Sequence, residues 1–344
     1  MIGKNSFPAM FGLLVLCQPL LSFSQTSNVA SYKPQPASPP RDAGYLVPNG
    51  SVRIVGFDDM EGVISRLNDQ FVRAHPGVKF IYVKGNSLAA LYALIFDSSA
   101  FAPMGAEFLG SLTYTDVVQG PPFSIRIAHA SLNPKAKLSP LAVIVNRSNP
   151  VEHLTLAQIG SIFTQSQRRR VIAQWGQLGV KGELAKREIH PCGLPWTDHY
   201  PSEDPDFGPY MFFRKMGGSP PVWNYEMFPA YAEVVRNVSE DALSVGITSL
   251  NRVGPGVKVV GILGSDLGVP SRGSAEDIQA GRYPLDRYLY IYGRLVSGKP
   301  FDPFVKEYMR MVLSREGQEI IATEPHSYLP LSALEIGEEL AKLQ

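Results

Sequence analysis

Ser51-Val-Arg-Ile-Val-Gly56 is a β-branched run that stops at a glycine, and Phe57-Asp58-Asp59 leads from it into an amphipathic helix. Val63, Ile64, Leu67, Phe71 and Val72 fall on one face of that helix, and Pro76-Gly77 ends it. Asp58 with Glu61 has the spacing of a capping box. A second strand, Val78-Lys-Phe-Ile-Tyr-Val83, runs into Gly85-Asn86-Ser87 and a helix from Leu88 to Phe96. Two strand–loop–helix units in succession predict a parallel α/β sheet whose working loops lie at the strand C-termini.

Working outward, Leu141-Ala-Val-Ile-Val145 reads as a buried strand, and Thr155 with Gln158 opens a helix through a second capping box. Residues 191–209 break the pattern, with five prolines and the acidic residues Asp198, Glu203, Asp204 and Asp206. Order returns with a short capped turn at Ser239 and the strand Val245–Ser249. Tyr288-Leu-Tyr-Ile-Tyr292 is an aromatic strand, and Asp302-Pro303 caps a helix with Phe304, Tyr308, Met311 and Val312 on its apolar side. No internal repeat is evident.

The 344 residues carry 32 Lys+Arg against 31 Asp+Glu, so a field that would attract nucleic acid is absent. The length suits two domains, and no apolar run beyond the N-terminus is long enough for a membrane span. Residues 1–24 read as a secretory signal, with Lys4 ahead of a short apolar stretch that Pro19 breaks. Leu16 before Cys17 does not suit a lipobox, because that position needs a small residue. Cleavage after Ser24 leaves one cysteine, Cys192, and no internal disulfide. Residues 25–48, with five prolines, read as a flexible tether. The expectation is an exported, soluble, periplasmic or secreted chain with no stable membrane insertion after signal cleavage.

Several phrases, in order, resemble the periplasmic phosphate-type substrate-binding proteins of ABC transporters. They are Phe101-Ala-Pro-Met104, Leu141–Asn146 with Asn149-Pro150, Leu156-Ala-Gln-Ile159 with Ile162-Phe163, and Trp175–Gly179. Pro284–Tyr290, Leu313–Gln318 and Tyr328-Leu-Pro-Leu331 complete the set, which spans about residues 50 to 331. The resemblance implies a periplasmic binding protein fold of type II: two α/β lobes joined by two crossing strands around a ligand cleft. By that analogy residues 49–145 with 286–344 form lobe 1 and residues 146–285 form lobe 2. It also implies a typically monomeric protein that closes on a small-molecule or anion ligand and serves an ABC permease.

In that family the anion is held by backbone N–H groups, hydroxyls and one arginine drawn from four loops. The first loop is Phe57-Asp58-Asp59, where two carboxylates repel phosphate and serve either as plain helix caps or in recognition of a cation or amine. The second keeps Asn86-Ser87, with Ser87 as a ligand donor or an N-cap. The third reads Gly105-Ala106-Glu107 and lacks the hydroxyl and guanidinium that many relatives have. In the fourth, Cys192-Gly193-Leu194-Pro195 puts Leu194 where the arginine would stand, and the stretch resumes at Phe207-Gly208-Pro209. The insert between, from Trp196 to Asp206, is acidic, and Trp196 is its candidate aromatic contact to a ligand. Micromolar binding needs about −8 kcal/mol. With the arginine and most donors gone, ordinary phosphate binding is not expected.

Other chemistries fit less well. The acidic insert has no EF-hand or zinc spacing and reads as a solvated loop. Cys192 with His190 or His199 lacks an orienting carboxylate, so a thiol hydrolase is a third reading and Cys192 a small core filler. Neither a cofactor nor a metal is expected. The runner-up to solute capture is a diverged sensory or interaction protein whose cleft is filled by its own insert and by Asp58 and Asp59.

Overall fold

The computed structural model describes residues 29–107, 112–120, 123–166, 170–264 and 268–344. The signal segment 1–24, Cys17 and most of the Arg168–Arg170 cluster lie outside the described residues.

The chain opens with β1 (Val52–Phe57), α1 (Glu61–Ala74), β2 (Phe80–Gly85), α2 (Ser87–Ile95), β3 (Ala102–Met104), α3 (Leu112–Val118) and the long β4 (Phe123–Ser131). It then crosses to β5 (Leu141–Asn146), β6 (His153–Thr155), α4 (Leu156–Phe163), β7 (His190–Gly193) and a π-helix at Pro209–Lys215. After β8 (Glu226–Met227) come α5 (Tyr231–Glu240), β9 (Ser244–Ser249), β10 (Val257–Val259), β11 (Gly261–Leu263) and α6 (Ala275–Gln279). The return strand is β12 (Tyr288–Gly293), followed by α7 (Pro303–Val312), α8 (Arg315–Ala322), β13 (Tyr328–Leu329) and α9 (Ala333–Ala341).

The expected strand–helix units form. β1 and β2 pair in parallel, and α1 buries Val63, Ile64, Leu67 and Phe71. The capping box of Thr155 and Gln158 is present at α4. The sheets, however, are mixed. β13-β4-β12-β3 is antiparallel throughout, while β10-β5-β9-β7-β8 combines antiparallel and parallel pairs. A strand returning from the second lobe enters the first sheet against the direction of the outgoing one, which makes those pairs antiparallel.

Two large apolar cores result, with a smaller cluster between α2, β3 and β12. One gathers β1, α1, β4, β12, α7 and α8 around Phe71, Phe304 and Tyr308; the other surrounds β5, β9 and α5 with Trp175, Phe207 and Phe212. Leu141 to Val145 are wholly buried in the second core, so β5 belongs to lobe 2 and not to lobe 1. The first crossing is therefore the 132–140 segment, and the second lies just before β12. The Ala130 N–H donates to the Arg287 carbonyl at 2.8 Å and the Leu141 N–H to the Leu285 carbonyl at 3.0 Å, which ties the two crossings together.

The proline-rich stretch departs from the tether expected of it. From residue 29 to 48 it lies on the first core, with Val29 and Tyr45 buried. The Tyr32 hydroxyl donates to Glu307 at 2.8 Å and that of Tyr45 to Asp302 at 2.7 Å. Two aromatic anchors suffice to hold a segment whose prolines have already restricted its backbone.

Candidate functional site

Between the two cores lies a cavity of about 380 Å³. Lobe 1 contributes Gly105, Ala106 and Glu107 after β3, Arg126 on β4, and Glu338, Glu339 and Lys342 at the C-terminus. Lobe 2 contributes Asp206 and, from the π-helix, Tyr210, Arg214 and Lys215. The second crossing supplies Asp286 and Arg287, and β12 supplies Tyr288 and Tyr290, which share a face because strand side chains alternate.

Several expected site residues are placed elsewhere. Asp58 and Asp59 do not cap α1, whose N-cap is Met60, and a 3-10 turn at Asp58–Met60 precedes it. Asp59 is buried and accepts hydrogen bonds from the Lys137 N–H at 2.9 Å and the Tyr328 hydroxyl at 2.6 Å. Asp58 pairs with Lys137 at 2.5 Å. Both carboxylates therefore fasten the first crossing, and neither waits for a cation. Phe57 accepts the Tyr82 hydroxyl on its carbonyl at 2.6 Å, and its ring stands 3.0 Å from where a Cβ at Gly105 would lie.

Asn86 is the cap of α2, its side chain accepting the Ala89 N–H at 2.8 Å. Ser87 is thereby free of capping, and its hydroxyl meets the Asp206 carboxylate from the other lobe at 3.3 Å. At the start of α2, where a helix favours an anion, the protein presents its own. Burial and the neighbouring Asp204 push the Asp206 carboxyl up to about 6.

Gly193 and Gly208 are packing positions. A Cβ at Gly193 would meet the Tyr225 hydroxyl, and one at Gly208 the backbone of Trp196. Trp196 packs on the second core and stacks against Phe213, 6.4 Å between ring centroids, and does not line the cavity. Leu194 is wholly buried.

The insert is only in part the solvated loop its composition suggests. Asp204 forms a buried pair with Arg287, Nη1 to Oδ2 at 2.5 Å, and accepts the Tyr231 hydroxyl at 2.7 Å. Asp198, His199 and Glu203 keep the exposure expected. A buried arginine at the crossing draws in a carboxylate that composition alone places in water. Residues not singled out in the sequence include Tyr210 and four of the cavity's five cations, Arg126, Arg214, Lys215 and Arg287. The alternation of Tyr288 and Tyr290 was the signal available for its aromatic wall.

Cys192 is fully buried, and burial pushes its thiol up to about 12. His190 is engaged with Asp241 at 2.7 Å. A thiol so placed is a poor nucleophile. Iodoacetamide at pH 7.5 is expected to label the folded chain at least about a hundredfold more slowly than the unfolded chain, read by mass spectrometry. Comparable rates would restore the hydrolase reading.

No protein-family model matches the chain. The phosphate-binding protein PstS of Pseudomonas aeruginosa, from two strains, is 24% identical over 292 residues, which is 83% of this chain and 84% of the relative. The solved ABC-type phosphate transport receptor from Vibrio cholerae superposes with a TM-score of 0.53 at 18% identity, over 81% of this chain and 99% of that one. PstS from Borrelia burgdorferi gives 0.56 at 14% identity, over 82% and 99%. The fold is that of the phosphate-type binding proteins. The resemblance read from the sequence and its two-lobe architecture thus hold. Among the described residues no helix is long and apolar enough to cross a membrane.

Proposed function

We propose that the chain is an exported, periplasmic solute-binding protein that captures a small ligand by hinge closure between its lobes and delivers it to an ABC permease. The ligand is not phosphate held as ordinary phosphate binders hold it. The relatives and the cavity between the lobes support capture. The observation that carries the second part is Asp206 on Ser87, a carboxylate of lobe 2 set at the start of α2. Residues 1–24 act as the signal, residues up to about 140 with those from about 286 form lobe 1, and the protein works as a monomer without catalysis. Its working residues are Ser87, Ala106, Asp206 and the cavity wall, while Phe57, Asn86, Gly105, Gly193 and Gly208 support them through backbone and packing.

A second reading has its own support. Arg214 pairs with Glu107 across the lobes, and together with the Asp206–Ser87 contact this bridges the cleft without help from a ligand. A sensory or interaction protein with an occluded cleft is consistent with that. Native mass spectrometry of the protein isolated without unfolding separates the readings. An adduct of small organic mass is expected for capture, and no adduct for occlusion. A phosphate adduct would overturn the leading reading.

A further inference from the structure

Around the cavity, all but two of the charged side chains have an oppositely charged partner among the described residues. Arg126 contacts Glu335, Glu338 and Glu339; Lys342 pairs with Glu339, Arg214 with Glu107, Arg287 with Asp204, and Asp286 with His129. The exceptions are Lys215 and Asp206. Lys215 is half-buried, has no carboxylate within salt-bridge distance, and lies with Nζ 5.1 Å from the Tyr210 ring centroid. Asp206 makes its side-chain contact through Oδ2 to Ser87.

The backbone that places Lys215 is unusual. In an α-helix, residues five apart stand about 140° from one another. The segment Pro209–Lys215 is instead a π-helix, with the Met216 N–H donating to the Met211 carbonyl at 2.9 Å. This winding brings Tyr210 and Lys215 onto one cavity-facing line, and π-turns recur at functional positions. Tyr288 and Tyr290 form the rest of the wall, with ring centroids 6.3 Å apart.

Such a lining selects a ligand. One unpaired ammonium balances one negative charge, whereas the carboxylates of Glu107, Asp206 and Asp286 oppose a dianion. Tyr210, Tyr288 and Tyr290 give the wall an aromatic surface against which a flat ring can pack. The space falls in the range of small-molecule sites and exceeds what a bare oxyanion fills. We propose that the cavity binds a small aromatic monocarboxylate, its carboxylate on Lys215, its ring against Tyr210, Tyr288 and Tyr290, and a hydroxyl substituent toward Asp206. The inference rests on the reading of the cleft as a solute site and names its ligand class. Burial and Arg214 hold the Lys215 ammonium below the usual lysine range, and an incoming carboxylate relieves that strain on its charge.

The test is calorimetric titration of the full secreted chain with 4-hydroxybenzoate, with 4-hydroxybenzyl alcohol, and with inorganic phosphate. The expected result is binding of 4-hydroxybenzoate with a Kd of about 1 mM or tighter, and binding of the alcohol at least about tenfold weaker. Lys215→Met is expected to weaken 4-hydroxybenzoate by about tenfold or more. The alcohol comparison uses the unaltered protein, so it stands if the variant fails to fold. Absence of 4-hydroxybenzoate binding, equal binding of the alcohol, or an unaffected folded variant would each overturn the inference. Micromolar phosphate binding would remove the solute reading beneath it; silence from both phosphate and 4-hydroxybenzoate would remove the inference alone.

Discussion

Arg287→Met lowers the stability of the protein by about 3–5 kcal/mol, and adding Asp204→Leu restores most of the loss. Arg287 and Asp204 are 4% and 11% exposed, so water compensates little for a missing partner. The guanidinium makes contacts of 2.5 and 3.4 Å to the two carboxylate oxygens and lies 5.4 Å from the centroid of the Tyr210 ring. Without it, Asp204 keeps hydrogen bonds from the Tyr231 hydroxyl and the Asp206 N–H but is otherwise a buried, uncompensated charge. The pair also joins the insert to the second crossing, so its loss loosens the wall that holds Asp206 beside Ser87. Urea unfolding of both single variants and the double variant measures the coupling. If the single effects merely add, the pair does not fasten the insert.

The second large effect concerns pH. His129 is wholly buried, with Nδ1 2.7 Å from Asp286 and Nε2 3.2 Å from Glu335. Burial lowers the imidazole's pKa, but the two carboxylates more than offset this and push it up to about 9. Burial likewise opposes ionisation of Glu335, yet the His129 contact holds it down to about 2. A histidine raised above its ordinary 6.5 gives stability that is complete below that pH and lost as pH climbs toward 9. The expected loss across this interval is roughly 3 kcal/mol, from about 1.4 kcal/mol per pKa unit. Glu335, shifted downward, contributes above about 4.5 and fades only toward pH 2. His129→Gln is expected to be less stable than the unaltered protein at pH 6 and to show a flatter profile between pH 6.5 and 9. An equally steep alkaline decline in the variant would place the titration elsewhere.

Much of the frame was legible because it follows local rules. The β1–α1–β2–α2 order, the Thr155 capping box and the aromatic alternation of β12 rest on periodicity and short spacings. α5 was not legible: Val234, Val235 and Val238 are β-branched, and Ala230 offers no side-chain cap. The losses from the four anion-binding loops were also visible, since they are substitutions at positions the resemblance defines. What replaces them was not. Asp58 reads as a cap until Lys137 is brought to it from the crossing, and Asp204 reads as solvated until Arg287 is placed beneath it. Trp196 carried the larger aromatic surface, yet the π-helix turns Tyr210 and Lys215 to the cavity in its stead. Each of these depends on a partner far away in the chain or on a rare backbone winding, and neither leaves a local trace.

The most direct measurement is calorimetric titration of inorganic phosphate into the secreted chain at neutral pH. With Asp206 at the start of α2, Leu194 buried and each arginine on the cavity wall already paired, no binding tighter than about 1 mM is expected. A Kd of about 1 μM would contradict it, because some 8 kcal/mol of binding would then come from donors to which this structure gives other partners.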